Sequence, residues 1–539
     1  MYGKLHSACL YGIDGVIIEV EVDLSSGIPQ TNIVGLPDSA VREAIDRVRA
    51  AIKNCGYRFP LQRVTINLAP ADLRKEGSAF DLAIALAILA ASDQVRLPPE
   101  ERLLIIGELS LDGTLRPVPG VLSMVDRARR DGFTAVLLPQ KNAEEALLLG
   151  GIRVYALSHL RELAPPSLEA KGPEAAHALP LHSTHEQDGQ APLILQTLNH
   201  LEKKTEGQGA TAPLPPLLDY SDVIGQRQIK RALVIAAAGF HNIVLIGPPG
   251  TGKTMLVQRL PSILPPLTLE ESLEVTKIYS SAGKFNDSGQ GLIQRRPFRS
   301  PHHTISAGGL IGGGGIPKPG EVSLAHHGVL FLDELPEFSR NVLEVLRQPL
   351  EDRVVTISRS RASFTFPAHF LLAGSLNPCP CGYLGAEPPL PACTCSPWRI
   401  AQYREKISGP LLDRIDMQVE VPRPQRWQDD PQPLDSAVMR EQVMAAERIQ
   451  LERYQGCRIS RNSELSGSLL RKFAPLDRDA TKLLQNCFAT LGLSMRAYDR
   501  IIKLSRTIAD LEGEADIRAE HVAEAIQYRQ LDRRHEVVG

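Results

Sequence analysis

The chain has 539 residues, is 43% hydrophobic and carries a formal net charge of −2. It has apolar residues enough for two to four domains, and it lacks the overall basicity of a protein that coats nucleic acid. Any contact with a polyanion has to come from a local patch. Residues 1–15, MYGKLHSACLYGIDG, lack the basic-then-apolar pattern of a signal peptide. The most apolar helical run, AFDLAIALAILAAS, is too short to span a bilayer and contains Asp81. The expected location is therefore cytoplasmic, with no membrane partner.

Residues 1–162 alternate strand and helix signals. VIIEVEVDL and RVTINLA read as strands, and Ser39 to Asn54 has helical spacing of Ala, Ile and Val. RLLIIGELSLDGTLRPV reads as a hairpin turning at Asp112-Gly113. Residues 163–216 are rich in Pro, Ala, Gly, Gln and His and have no aromatic residue, which predicts a flexible linker with a short helix around Leu193–Leu201. A second α/β domain is expected over 217–428 and an all-α domain over 429–539. The expected fold class is thus α/β with a helical C-terminal domain.

The second domain carries the chemistry. IVLIGPPGTGKT is a strand, then Gly247-Pro248-Pro249-Gly250-Thr251-Gly252-Lys253-Thr254, then an amphipathic helix. Backbone N–H groups of such a glycine-rich turn and of the helix start form a nest for phosphates. Lys253 would reach the β- and γ-phosphates and Thr254 would hold Mg²⁺. GVLFLDEL supplies the partner strand, with Asp333 placed to hold Mg²⁺ through water and Glu334 to polarise the attacking water. Together they point to hydrolysis of a nucleoside triphosphate by positioning and charge neutralisation. Three more residues follow in the order an oligomeric motor would need. Asn377 ends the strand FLLAGSLNP and could orient the lytic water. Arg414 in SGPLLDRIDMQVEV is a candidate arginine finger for a neighbouring subunit, and Arg496 in LSMRAYDRIIKL could contact the γ-phosphate.

This order of motifs is similar to that of AAA+ ATPases of the magnesium-chelatase and MCM-related clade. RPFRSPHH, GGGG, NPCPCGY and SGPLLDRID resemble the magnesium-chelatase-like ComM family over nearly the whole chain outside the linker. The resemblance implies a homo-hexameric ring that drives branch migration of DNA junctions in recombination and natural transformation, with recombination proteins as further partners. It also implies that two segments face the ring's central pore.

The first such segment follows from spacing. Lys253 and Asp333 stand 80 positions apart, more than a minimal core needs, so an insertion is expected between them. Between Ser288 and Gly320 there are four cations, Arg295, Arg296, Arg299 and Lys318, and no acidic residue. With His302, His303 and the glycine run, this makes a basic, flexible lining suited to a phosphate backbone. The second segment, ISRSRASFTFP, reads as a hairpin bearing Arg359 and Arg361. Two other readings stand beside the first: His302 and His303 as metal ligands, and the glycines as a rigid packing turn.

Of eight cysteines, Cys379, Cys381, Cys393 and Cys395 are clustered. Four thiolates suit tetrahedral Zn²⁺, although C-x-C is tighter than the usual C-x₂-C, and redox-active thiols or an iron–sulfur cluster are the alternatives. The first domain resembles the Lon protease domain in KEGSAFDLAIALAI and GELSLDGTLRPVPGVLSM. Alignment on those motifs puts Ala79 where the nucleophilic serine would be and Leu122 where the lysine base would be, with Ser78 one position off. A scaffold or DNA-binding role is expected there instead of peptidase chemistry. Two rival functions remain at this level: a chelatase subunit acting with partner subunits on a porphyrin, and a protein-remodelling ATPase, whose pore would be expected to carry an aromatic-hydrophobic loop.

Overall fold

The computed structural model describes residues 1–97, 102–163, 200–201, 217–285, 291–315, 317–359, 362–385, 390–423, 434–491 and 494–529. The linker helix expected around Leu193–Leu201 lies outside them, apart from His200–Leu201, which form a strand and not the end of a helix because they pair with Tyr155 and Val154. Contacts divide the chain into two units, 1–213 with 276–292 and 214–275 with 293–539.

The first unit is built on a mixed eight-stranded sheet. Its strands are β1 (Tyr2–Tyr11), β2 (Asp14–Ser25), β3 (Gln30–Val34), β4 (Arg63–Ala69), β5 (Leu103–Ile105), β8 (Ala135–Pro139), β9 (Arg153–Leu157) and β10 (His200–Leu201). They lie in the order β10-β9-β8-β5-β1-β2-β4-β3. The hairpin expected at Asp112-Gly113 is present as β6 (Glu108–Leu109) and β7 (Leu115–Arg116). Helix α1 spans Ser39–Asn54, with Asp38 capping it by accepting from Val41 N–H at 2.8 Å. Helix α2 (Asp81–Ala91) buries ten of its eleven residues, which explains its all-round apolar sequence. Its one charge, Asp81, pairs with Arg47 Nε at 2.8 Å. Burial pushes the Asp81 carboxyl up to about 6 even though Arg47 opposes the shift. In α3 (Val121–Arg130), Leu122 is fully buried, and Ala79 is also buried. The Ser78 hydroxyl is engaged with Glu108, and the Lys75 ammonium with the carbonyls of Pro70 and Leu73.

The second unit holds a parallel five-stranded sheet. In chain order its strands are β11 (Ile243–Ile246), β12 (Phe298–Arg299), β15 (Val329–Leu332), β18 (Leu371–Leu376) and β19 (Met417–Glu420), arranged β12-β15-β18-β11-β19. IVLI, VLFL and LLAGSL are buried at every position, the pattern of parallel strands covered on both faces. Each of these three strands ends at the loop that carries the motif residues, as ligand-binding residues do at the carboxyl ends of such sheets. Helix α4 (Arg227–Gly239) packs on the sheet, and helices α7 (Ser436–Arg453) and α8 (Met495–Leu511) join it in one hydrophobic core. The expected basic hairpin exists as β16 (Val354–Arg359) and β17 (Ala362–Pro367). Arg359 pairs with Ala362 through the backbone, and Arg361 lies outside the described residues.

The first expected pore insertion needs correcting. Phe298–Arg299 forms β12, the edge strand of the core sheet, paired parallel to β15. Only the stretch after it departs from the sheet: a helix over Ala307–Ile311 and a small hairpin, β13 (Gly312–Gly313) with β14 (Lys318–Pro319).

Candidate active site

β11 runs straight into the glycine-rich loop, and helix α5 (Lys253–Gln258) follows it. The left-handed turn needed to start α5 falls on Gly252, with φ 84°, where a side chain would be strained. The Lys253 ammonium lies in this turn, 2.7 Å from Gly247 O, 2.9 Å from Pro248 O and 3.2 Å from Asn377 Oδ1. Burial lowers its pKa, against the pull of the Asp333 and Glu334 carboxylates. Residues 124 positions apart in sequence thus meet at one charge because β11 and β18 are neighbours in the sheet.

Asp333 follows β15, which flanks β18 on the other side. Its Oδ2 accepts from Thr254 Oγ1 at 2.8 Å, and its Oδ1 from the Ser375 hydroxyl. A threonine hydroxyl in hydrogen-bond contact with a carboxylate beside a phosphate nest is a donor set that fits Mg²⁺, a hard cation that takes one or two protein oxygens plus phosphate oxygens and water. Glu334 adopts a left-handed conformation, φ 52° and ψ 51°, unusual for a residue with a side chain. Its N–H is held by Asp333 Oδ1 at 3.1 Å and Ser375 Oγ at 3.2 Å, and its carboxylate is exposed. Such strain concentrates at functional sites, where the surroundings over-determine it. The arrangement can bind a nucleoside triphosphate with Mg²⁺ and present a carboxylate to water.

The structure therefore brings together Lys253, Thr254, Asp333, Glu334 and Asn377. It adds Ser375, which the sequence reading missed. The sequence carried no signal for it, because the pairing of β18 with β15 that sets Ser375 beside Asp333 is seen only in the structure. Arg414 and Arg496 stand apart from this group. The Arg414 guanidinium is 2.8 Å from Glu351 Oε2 and donates to Pro410 O at 2.8 Å. Its backbone carbonyl is held by Asn242 Nδ2, at the start of β11, and by Arg500 Nη1. Arg496 is exposed in the first turn of α8. Four residues on, Arg500 grips the buried Asp416. Burial would raise that carboxyl, but Arg500 and His241 outweigh it and hold it well below the ordinary range.

Two of the residues expected to contact DNA, Arg296 and Arg299, are instead engaged within the protein. Arg296 is buried, donating to the carbonyls of Pro265, Pro266 and His327 and pairing with Glu271 at 3.0 Å. It is an internal brace, because a desolvated guanidinium has to spend its donors inside the protein. Arg299 forms a bidentate pair with Glu321 at 2.6 and 2.9 Å. Glu321 lies one residue past the window that looked free of acids. Arg295 is half-buried and Lys318 exposed. His302 and His303 stack on each other, with ring centroids 4.0 Å apart, and His302 Nδ1 bonds Thr304 Oγ1 at 2.9 Å. A different histidine pair lies nearer a carboxylate: His326 and His327 both reach Glu274 Oε2, at 3.2 and 3.0 Å. His326 Nδ1 accepts the His369 backbone N–H, so its Nε2 carries the proton toward Glu274. Burial holds His326 down at about 4, in keeping with a neutral ring. The three side chains form a hydrogen-bonded cluster ahead of β15.

The four clustered cysteines are brought together. Cys379 Sγ is 3.3 Å from Cys381 Sγ and 3.7 Å from Cys393 Sγ, Cys381 and Cys393 are 3.6 Å apart, and all four sulfurs lie within 4.8 Å of one another. All are thiols. Sulfurs about 2.3 Å from a tetrahedral zinc stand roughly 3.8 Å from each other, so the set fits Zn²⁺. The Tyr383 N–H holds the Cys381 thiol down at about 6. Among the described residues no helix is long and apolar enough to cross a membrane.

Comparison with known proteins agrees with this geometry. Residues 219–428 match a family described as magnesium chelatase, subunit ChlI; residues 20–142 match one described as subunit ChlI of Mg-chelatase; and residues 434–529 match its C-terminal family. The chain is 42% identical over 534 residues to YifB of Salmonella typhimurium, covering 98% of this chain and 97% of that one. It is 42% identical over 533 residues to competence protein ComM of Haemophilus influenzae, again 98% and 97%. The magnesium-chelatase 38 kDa subunit of Rhodobacter capsulatus is 24% identical over 181 residues, 30% of this chain and 51% of that one. With the phosphate loop, carboxylate strand and parallel sheet all in place, the chain belongs to the magnesium-chelatase-like ComM family of AAA+ ATPases.

Proposed function

We propose that this protein is an ATP-driven motor acting on branched DNA, working as a homo-hexamer in recombination and the uptake of transforming DNA. The observation that carries the ATPase step is the joining of Lys253, Thr254, Asp333 and Asn377 at the ends of three adjacent strands. Mg²⁺ held at Thr254 and Asp333 would neutralise the charge that builds on the phosphates. Lys253 would bind the phosphate oxygens, and Asn377 would share in orienting water. Glu334, held in its left-handed turn, would accept the water's proton.

The DNA substrate is supported by full-length likeness to a protein named for competence, and by the cations left exposed or half-buried after the structural arginines are set aside, chiefly Lys318 and Arg295. Arg414 would reach a neighbouring subunit's nucleotide by leaving Glu351. Its replacement by alanine should stop hydrolysis and spare nucleotide binding.

The test is steady-state phosphate release by the full chain alone and with single-stranded, duplex and four-way-junction DNA. Stimulation greatest on branched or single-stranded forms supports the reading. Clear basal turnover with no response to any DNA sinks it and favours a chelatase-type role, which the likeness to the 38 kDa subunit would then carry.

A further inference from the structure

The cysteine cluster begins two residues past Asn377, the residue whose Oδ1 receives Lys253. Cys379 is fully buried, and the Gly382 N–H closes a tight turn onto Cys379 O at 3.0 Å. Gly382 has φ 86°, and a Cβ built on it would stand 2.7 Å from Pro249 Cδ, in the middle of the phosphate loop. The cysteine turn therefore lies against the nucleotide loop with no room for one methyl group. On the far side, Cys395 leads directly into the helix Pro397–Glu405, capped by Ser396, and Arg404 of that helix donates to Pro378 O at 3.4 Å. The segment between the cysteine pairs contains three prolines and two glycines, and its described residues form no helix or strand, so a metal crosslink would help to fix its ends.

We propose that these four thiolates hold one zinc ion, and that the ion braces Pro249 and Asn377 so that its occupancy sets how tightly the loop holds nucleotide. Zinc would take four sulfurs, displacing their protons to solvent, with no electron transferred. The knuckle would then be a strut of the ATP site that removal of the ion by a chelator could release. This rests on the reading of the loop as an ATP site and is independent of the DNA reading.

The experiment compares three full-length proteins: wild type, the double variant Cys393→Ser/Cys395→Ser, and Gly382→Val. Zinc is measured by elemental mass spectrometry, and tetrahedral thiolate ligation by the absorption of a cobalt(II)-substituted sample. Nucleotide affinity is measured by equilibrium titration of a fluorescent ATP analogue. Wild type should carry one zinc per chain. The double variant should lose zinc and bind nucleotide about tenfold more weakly, as loss of a positioning shell does. Gly382→Val should keep its zinc and still bind nucleotide more weakly, because its side chain presses on Pro249 and a β-branched residue at φ 86° strains the turn; retained zinc and an unchanged circular dichroism spectrum in that variant separate bracing from unfolding. A wild-type protein without zinc overturns the proposal, as does unchanged affinity in either variant. A wild type that binds zinc but no nucleotide overturns both this inference and the ATP-site reading.

Discussion

The phosphate site and the basic segment ahead of β15 looked equally eloquent in sequence and turned out differently. In the phosphate site each side chain went where its motif put it, because strand, tight loop and helix start leave the chain a single path, and neighbouring strands align the partners. In the basic segment, two of the four cations counted between Ser288 and Gly320 are consumed by the fold. Arg296 is locked to three carbonyls and Glu271, and Arg299 to Glu321. Their acidic partners lie outside the counted window, Glu271 well before it on helix α6 (Leu269–Ser281) and Glu321 one residue past it on the first turn after β14. A charge count over a window registers cations but says nothing of what the fold brings up against them.

That contrast can be broken or sharpened by substitution. The largest effect is expected at Lys253. Lys253→Ala should lower phosphate release about a thousandfold, as removal of a charge aimed at the transition state does, with the folded chain intact by circular dichroism. Next comes Arg296→Ala, which should cost about 3 kcal/mol of stability, since it strands Glu271 and three carbonyls, while leaving the salt dependence of DNA binding unchanged. Denaturant unfolding and binding titrations across salt concentrations read the two halves of that statement. A weakened salt slope without loss of stability would restore Arg296 to the DNA path.

Smaller effects are expected at the edges of each region. Ser375→Ala removes the hydroxyl that fixes Asp333 and the Glu334 N–H, and should lower hydrolysis about tenfold at saturating ATP. Turnover equal to wild type would mean Asp333 needs no such support. Lys318→Ala, at an exposed hairpin position, should shift stability by less than about 0.5 kcal/mol and reduce the log–log salt slope of DNA binding by about one.

Legibility followed the same divide. The fold class was readable because buried parallel strands spell themselves as unbroken apolar runs, as in IVLI and VLFL, and because α2 is apolar on every side. The grouping of Lys253, Thr254, Asp333 and Asn377 was readable from the motifs. Ser375 was not, since a serine in a strand has no signature until its neighbour is known to be Asp333. β12 was missed because two residues make no periodic pattern, and RRPFRS reads as charge before it reads as an edge strand. The cysteine cluster was legible as a set, while its contact with Pro249 was not, because Gly382 shows its purpose only when the loop it touches is in place.

The central claim is that nucleotide turnover at this site moves DNA strands. It is tested most directly by following a fluorescently labelled mobile four-way junction mixed with the full-length protein and ATP, with Lys253→Ala as the blank. The account predicts resolution of the junction into duplexes that requires ATP and is lost in the variant. A junction that stays intact while wild-type protein hydrolyses ATP in the same tube would contradict it.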